Sequence, residues 1–307
     1  MTREAPNRSL SGAIVVGLLA GLWLMTSGVT CDQDRALAVQ RLNEGLAAYK
    51  RGQTQDAVAK LKEAAQADAD FAKPRYQLGQ IYEMKYEDAR EAERFYRAAL
   101  DIHPERAEYG YALGRLLVSQ GDYEEAIRVL KDTVDTHSGH AKSWFRLGQA
   151  QEAMGHHPKA VEAYMKSIEA DPRMTIGEDD TGGVAYHALG DIYVTFGFPD
   201  KALEVYENGL SNNAEAARLH RGLGVAQLEL ERYEAAAESF RKALELGGDG
   251  GAAYFNLAAA LEGAGRPDQA IEALQKYLDV ADPTDRARTS VAQGMIQKLK
   301  AQGDASN

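Results

Sequence analysis

The sequence predicts an all-α protein built from a helix pair that recurs about seven times, followed by one more helix. A glycine returns at the same point of an apolar pattern at separations of 34, 35, 34, 42, 34 and 34 residues, with alanine in the last place. The composition agrees, because Ala, Leu, Glu, Lys and Arg favour helix and the chain contains only eight prolines. No segment shows the apolar–polar alternation of a half-buried strand. The recurring positions are Gly45, Gly79, Gly114, Gly148, Gly190, Gly224 and Ala258.

Each repeat unit predicts two helices that touch closely. In the fourth unit Trp144, Leu147, Ala150 and Met154 recur at intervals of three and four, which gives a first helix one apolar face. The recurring glycine lies where the two backbones meet, since it has no side chain. Small residues at the matching point of the second helix are Ala57, Ala126, Ala160, Ala202, Ala236 and Ala270.

Turn residues separate the two helices of most units. A glycine at the end of a first helix favours the left-handed conformation that ends a helix, and a proline fits the first turn of the next one. Asp122 with Glu125 is a variant of the capping box. Two units depart from the pattern: residues 85–87 lack a glycine and hold one extra residue, and Glu231 replaces the glycine. The turn residues are Gly52, Gly121, Gly155, Gly197 and Gly265, with Pro158, Pro199 and Pro267 after three of them.

This pattern resembles the tetratricopeptide repeat family, whose period is 34 residues. The fullest copy is Trp144, Leu147, Gly148, Gly155, Ala160, Tyr164 and Pro172, and another is Tyr186, Leu189, Gly190, Tyr193, Gly197, Ala202 and Tyr206. The resemblance covers residues 36–283 and implies a superhelical solenoid. The predicted repeats are 38–71, 72–106, 107–140, 141–174, 183–216, 217–250 and 251–283.

The two ends of the chain are predicted to differ from the repeats. A capping helix is expected over 284–301, with Val291, Met295, Ile296 and Leu299 on its apolar face, and 302–307 as a disordered tail. At the start, Arg3 and Arg8 precede the apolar run 12–25, the layout of a secretory signal. Residues 1–31 are therefore predicted to be a signal peptide or a membrane anchor.

Cys31 leaves three alternatives open for the N-terminus. The segment before it resembles a bacterial lipoprotein signal, although Gly28, Val29 and Thr30 depart from that family's preferred residues. Because no charge occurs between Arg8 and Asp32, this segment could instead remain as one spanning helix, or cleavage after Gly28 would release a soluble product. All three place the bulk of the chain outside the cytoplasm, in the cell envelope.

Charge and cysteine content exclude several function classes. The net charge is −11 and no Lys/Arg block is present, so a nucleic-acid partner is not expected. One cysteine excludes an intramolecular disulfide, a multi-cysteine zinc site and covalent haem attachment. No catalytic, phosphate-binding or dinucleotide motif occurs, so neither enzymatic activity nor a cofactor or metal is expected. Glu178, Asp179 and Asp180, in the insertion 173–183, favour a solvated loop over a cation site.

The family resemblance implies a partner-binding groove lined by the first helices. Trp144 is expected in the core, and the carboxylate clamp of some family members is not supported, because Tyr76, Gln80 and Ala112 stand where it needs Lys and Asn. The main functional hypothesis is a membrane-tethered scaffold that assembles an envelope complex with a protein or peptide in this groove. The alternative is a periplasmic chaperone-like accessory subunit of an envelope enzyme or secretion system. The implied groove residues are Tyr76, Gln80, Tyr111, Arg115, Lys142, Phe145, Gln149, His187, Asp191, Arg218, Arg221 and Phe255.

Overall fold

A computed structural model describes residues 33–176 and 182–305. This part of the chain contains fifteen helices and no strand, which confirms the all-α prediction. The helices are α1 over 33–50, α2 Thr54–Ala67, α3 Ala72–Lys85, α4 Ala89–Ile102, α5 Ala107–Gln120, α6 Tyr123–Thr136, α7 Ala141–Ala153, α8 His157–Ala170, α9 Val184–Thr195, α10 Pro199–Asn212, α11 Ala217–Glu229, α12 Tyr233–Glu245, α13 Gly250–Gly263, α14 Pro267–Val280 and α15 Arg286–Ala305.

The chain divides into two compact units, Met1–Leu116 and Leu117–Asn307. In the first unit α2 packs on α3 and α3 on α4, around buried Leu61 and Leu78. In the second unit each helix from α6 to α14 packs on the next one in the sequence, ending with α15. Packing between sequence neighbours is the arrangement of a solenoid of helix pairs.

The recurring glycines lie against bulky side chains of the paired second helix. A Cβ added at Gly190 would be 2.4 Å from the Tyr206 ring, and one added at Gly224 would be 2.8 Å from the Phe240 ring. In the last repeat Ala258 and Leu274 take these two places, and both are fully buried in one core cluster. The helix pairs therefore depend on the absence of a side chain wherever a ring lies opposite. The remaining glycine–tyrosine pairs are Gly79–Tyr96 and Gly148–Tyr164.

The predicted turn glycines have the left-handed conformation, with φ between +69° and +80°. Glu231 has φ +56°, so it adopts the glycine conformation despite its side chain. In a regular turn the closing N–H donates to a carbonyl five residues earlier, as Asp122 does to Leu117 at 3.0 Å. Asp88 instead donates to Tyr82, six residues earlier, which accommodates the extra residue of the second repeat.

Several helices begin with the capping residue or the proline that the sequence predicts there. Asp122 accepts a hydrogen bond from the Glu125 backbone N–H at 3.4 Å, as its capping position requires. Pro158, Pro199 and Pro267 lie at the first or second residue of α8, α10 and α14, where a missing N–H has no cost.

The C-terminal helix differs from its prediction at two points. Leu299 is buried and Met295 and Ile296 pack on the core beneath, but Val291 is 53% exposed and Ala292 is buried instead. The helix continues to Ala305 rather than 301, so residues 302–305 are helical and not a disordered tail. No proline interrupts its backbone hydrogen bonding there.

Several predictions lie outside the described residues. They are the apolar run 12–25, the lipidation site Cys31, and the acidic residues of the insertion, Glu178, Asp179 and Asp180. Within 33–176 and 182–305, no helix is both long enough and apolar enough to cross a membrane.

Candidate functional site

The predicted groove residues lie on the first helices of the repeats, α3, α5, α7, α9, α11 and α13. Pairs four residues apart, such as Tyr76 with Gln80 and His187 with Asp191, share one side of their helix. In each of the two units, we call the surface formed by its own share of these residues the first-helix face. All of them except Phe145 are at least partly exposed.

In the first unit, Glu83 organises the first-helix face. Its Oε2 atom accepts a hydrogen bond from the Tyr96 hydroxyl at 2.8 Å and forms an ion pair with Arg115 Nη2 at 2.5 Å. Burial, and then the negative charge of Glu83, raise the pKa of Tyr96 far above its usual range. Gln80 Nε2 donates to the Tyr76 hydroxyl at 3.1 Å. The positive charge of Arg115 is therefore balanced within the protein.

Glu83 was not predicted from the sequence. It lies four residues after the repeat glycine Gly79, and Glu152 lies at the same distance after Gly148. Glu152 likewise accepts a hydrogen bond from a buried tyrosine hydroxyl, that of Tyr164, at 2.7 Å. An acidic residue four positions after the repeat glycine is the sequence signal that could have found both.

On α7 the predicted roles of two neighbouring aromatic residues are reversed. Phe145, expected in the groove, is only 5% exposed and packs on Tyr164 with ring centroids 5.6 Å apart. Trp144, expected in the core, is partly exposed, and its Nε1–H donates to the Ser138 carbonyl at 2.7 Å. An indole N–H needs a hydrogen-bond acceptor, and the Ser138 carbonyl that accepts this one lies outside α7. The indole of Trp144 therefore stays near the surface, and the Phe145 ring, which has no N–H, fills the core.

Lys142 and Gln149 remain on the partly exposed side of α7. Gln149 Oε1 accepts a hydrogen bond from Arg146 Nη1 at 2.8 Å. Phe255, on α13, packs edge-on against Tyr277 at 5.4 Å, with the Arg288 guanidinium 5.9 Å from its ring. Phe255 therefore contributes mainly to packing between helices.

A chain of four hydrogen-bonded side chains connects α9, α10 and α11. Arg221 Nη2 lies 3.1 Å from His187 Nε2, and His187 Nδ1 lies 3.0 Å from Asp191 Oδ2. Asp191 Oδ1 also accepts a hydrogen bond from the Tyr206 hydroxyl at 2.6 Å. Because Arg221 can only donate, this geometry requires a neutral imidazole with its proton on Nδ1.

The electrostatics of His187 agree with the neutral form. Burial lowers the pKa of His187, and the positive charges of Arg221 and Arg218 lower it further, against the opposing effect of Asp191. Burial and the Asp191 carboxylate raise the pKa of Tyr206, so its hydroxyl stays protonated and donates.

A pocket of about 430 Å³ opens beside this chain of side chains. Its walls come from α9, α11 and the connection between α12 and α13. The lining residues are His187, Ala217, Arg218, Arg221, Leu246, Gly247, Gly248 and Asp249. Across 33–176 and 182–305, no three His, Cys, Asp or Glu residues are grouped so that they could hold a metal ion.

The helix pairs, the glycine–ring contacts and the turn geometry define a repeat scaffold of the helix-pair class. The chain belongs to the tetratricopeptide repeat family, whose model matches residues 42–107, 111–174, 187–250 and 227–286. A second model of the same family matches residues 83–137. No curated protein sequence matches the chain significantly.

Solved tetratricopeptide structures share the fold. One from Parabacteroides merdae is 13% identical with a TM-score of 0.57, over 86% of this chain and 99% of that one. PilF of Pseudomonas aeruginosa is 19% identical with a TM-score of 0.56, over 70% and 93% of the two chains. YrrB, described as having an unusual peptide-binding site, is 19% identical with a TM-score of 0.50, over 65% and 97%. The chain is a protein–protein interaction scaffold of a fold that is generally non-catalytic.

Proposed function

We propose that this protein is an exported, membrane-tethered scaffold that binds a protein or peptide partner on its first-helix face and assembles an envelope complex. The observation on which this proposal chiefly rests is the hydrogen-bonded chain of side chains from the buried Tyr206 to Arg221. It holds a cation at the edge of a pocket before any partner arrives. Such preorganisation lowers the entropy lost on binding.

The residue types on the first-helix face support a binding role. Tyrosine and arginine are enriched at the centres of interfaces, because they combine large contact area with directed hydrogen bonds. Tyr76, Tyr111 and Arg221 supply them, and the same helices position amide and carboxylate groups beside them. The peptide-binding site of YrrB is a precedent within the fold for this use.

Export and tethering are proposed from the N-terminal sequence. Two arginines before an apolar run, and aspartates after it, favour transfer of the following chain across a membrane. Lipidation of Cys31 would then tether the scaffold, and an uncleaved helix within the uncharged segment between Arg8 and Asp32 is the other anchor the sequence allows.

The chaperone-like alternative is favoured by an apolar groove in the second unit. This groove, about 530 Å³ in volume, runs between the second helices α8 and α10 beside α9. Met165 on its edge is 54% exposed. Pro158, Val161, Ile168, Leu189 and Val205 complete its apolar lining. A transient unfolded client would bind here, whereas a stable partner is expected on the first-helix face.

A crosslinked pull-down from native membranes tests the proposal with four forms of the protein. Wild type should capture a defined envelope partner, and Lys142→Glu on α7 should lose it through charge reversal on the first-helix face. Lys131→Glu, a matched reversal at an exposed position of the second helix α6, should retain it. Equal capture by Lys142→Glu and Lys131→Glu would refute binding on this face.

The fourth form, Cys31→Ser, tests the tether. Release of the protein from the membrane fraction would support lipidation of the cysteine. Unchanged fractionation would make Cys31 an ordinary residue and favour the uncleaved helix as the anchor.

A further inference from the structure

Two exposed phenylalanines flank Gly197 in the turn between α9 and α10. Phe196 is 48% exposed and Phe198 is 51% exposed, although both side chains are large and apolar. Exposed apolar side chains that lie together mark surfaces where another molecule binds. We call this segment, residues 196–198, the phenylalanine turn.

The backbone of the phenylalanine turn is held in one conformation. Gly197 has φ +74°, and its N–H donates to the Val194 carbonyl at 3.0 Å. The Phe198 N–H donates to the Tyr193 carbonyl at 2.8 Å, and Pro199 then begins α10. The two rings are therefore presented by a fixed backbone, so that little conformational entropy is lost when another surface covers them.

The apolar groove between α8 and α10 lies beside this turn. The Phe196 ring packs edge-on against His157 with ring centroids 4.7 Å apart, and the next residue, Pro158, lines the groove. The groove volume of about 530 Å³ is large enough for two phenyl rings, since an apolar cavity of about 150 Å³ accommodates benzene. A pair of apolar rings and an apolar groove that can hold them therefore lie side by side in the second unit.

The charged groups beside the turn and the groove are complementary. Lys201 Nζ lies 5.2 Å from the centroid of a ring of the phenylalanine turn, and no described carboxylate lies within ion-pair distance of it. Its neighbour Asp200 is in the first turn of α10, where the helix dipole favours a negative charge. Glu162 lines the groove without an ion pair to any described cation, whereas Lys166 and Glu169 pair with each other at 2.8 Å. The turn thus carries an unpaired ammonium group and the groove an unpaired carboxylate.

We propose that two copies of this chain associate through a two-fold interface, in which the phenylalanine turn of each copy fills the apolar groove of the other. A two-fold interface requires that one surface carry both a projecting group and its complement, and this surface carries both. Lys201 of one copy then lies near Glu162 of the other. The interface uses the second helices and a turn, so it leaves the first-helix face free for the partner proposed above.

Crosslinking between isotopically labelled copies tests the contact. A benzophenone amino acid replaces Phe198 in the full-length protein, which is grown on the light nitrogen isotope and purified in detergent. It is mixed with wild type grown on the heavy isotope and then irradiated. The light peptide with position 198 should crosslink to heavy peptides from α8 or α10. The same amino acid at Val291 of α15, which is 53% exposed, should give no light–heavy pairs.

Sedimentation equilibrium in the same detergent measures the affinity between copies. Phe198→Ser should weaken dimerisation at least tenfold, because burial of one phenylalanine side chain corresponds to about a tenfold change in affinity and the dimer loses two. Met165→Glu, which places a charge at the exposed edge of the groove, should weaken it to a similar extent. Val291→Ser, the matched control, should change the affinity less than twofold. Circular dichroism spectra equal to that of wild type establish that the variants are folded.

A mixture of two variants tests the two-fold arrangement. Phe198→Ser keeps its groove and Met165→Glu keeps its turn, so one complete contact remains in a mixed pair. The equimolar mixture should therefore dimerise more strongly than either variant alone. An open head-to-tail contact would instead make wild type form chains longer than a dimer.

Three results would overturn the inference. One is a monomeric wild type, which would leave the groove to an unfolded client. Another is equal dimerisation of wild type, Phe198→Ser and Met165→Glu, or light–heavy crosslinks as frequent from Val291 as from Phe198. The third is a wild type that forms longer chains, or a variant mixture no stronger than its components. In each case, loss of the membrane partner by Lys142→Glu would still support the scaffold, so the two proposals fail separately.

Discussion

The contact between Gly190 and Tyr206 gives the sharpest stability prediction. A Cβ added at Gly190 of α9 would lie 2.4 Å from Tyr206 Cζ and 2.5 Å from its Cε1. The ring cannot move away, because Gly222 of α11 faces its other side, where an added Cβ would be 2.5 Å from Cε1. Tyr206 is also fully buried and hydrogen-bonded to Asp191. Gly190→Ala must therefore shift a helix.

The expected cost follows from two opposing effects. Overpacking a closed site costs about 3 kcal/mol, at the upper end of the usual range. Alanine is a better helix former than glycine by about 1 kcal/mol, which offsets part of that cost. Gly190→Ala should therefore lower the free energy of unfolding by about 2 kcal/mol. The assay is urea unfolding followed by far-UV circular dichroism.

Gly294 supplies the matched control, because it lies within α15 with nothing inside 4 Å of an added Cβ. Gly294→Ala should raise the free energy of unfolding by about 0.5–1 kcal/mol, since only the helix propensity changes. If Gly190→Ala were as stabilising as Gly294→Ala, the contact between the helices would not limit the size of this residue. The last repeat predicts a rescue: adding Tyr206→Leu to Gly190→Ala should be less damaging than the sum of the single changes, as Ala258 with Leu274 shows.

Three further predictions concern the turns and the hydrogen-bonded chain. Glu231→Gly should stabilise the protein by about 0.5–1 kcal/mol in urea unfolding, because glycine relieves the strain of φ +56°. Tyr206→Phe should lower the free energy of unfolding by about 1.5 kcal/mol in the same assay, because it removes the hydroxyl that donates to Asp191. In the folded state the pKa of His187 is lower than its ordinary value of 6.5. The unfolded chain therefore binds the proton more readily, and the free energy of unfolding falls as the pH drops below about 6.5. His187→Gln should reduce this loss, measured as the difference between the pH profiles of unfolding for the two proteins.

Each of these three predictions has a control or a result that would contradict it. Gly265→Ala, at φ +69° with open space around an added Cβ, is the reverse control for Glu231→Gly and should destabilise by about 1 kcal/mol. A destabilising Glu231→Gly would mean that the glutamate contributes more than its strain costs. A neutral effect of Tyr206→Phe would mean that water replaces the hydroxyl at Asp191. Parallel pH profiles of unfolding for wild type and His187→Gln would mean that the group whose titration changes the stability is not His187.

The helix pairs were predictable because close backbone approach leaves a direct record in the sequence. A ring such as Tyr164 fits only where the facing residue has no side chain, so Gly148 and its equivalents return at the repeat period. Turn glycines were predictable for a similar reason, since left-handed backbone favours glycine. Glu231 shows the limit, because the surrounding turn imposes that conformation on a residue that does not favour it.

Side-chain roles within the repeat were harder to predict. Trp144 and Phe145 are adjacent, and the choice between them depends on the Ser138 carbonyl, which lies outside the helix. The contact of His187 with Arg221 joins residues 34 positions apart, and periodicity alone cannot show that their side chains touch. The resemblance placed both residues on one face, but the neutral form of His187 follows only from the distances.

Site-specific photo-crosslinking in living cells tests the central proposal most directly. A benzophenone amino acid replaces Gln149 on the first-helix face of α7 in one form, and Met165 beside the apolar groove of α8 in another. The scaffold account predicts one defined envelope partner crosslinked at Gln149 and little or none at Met165. Crosslinks at Met165 to many proteins, with none at Gln149, would contradict it and favour a chaperone that holds apolar clients.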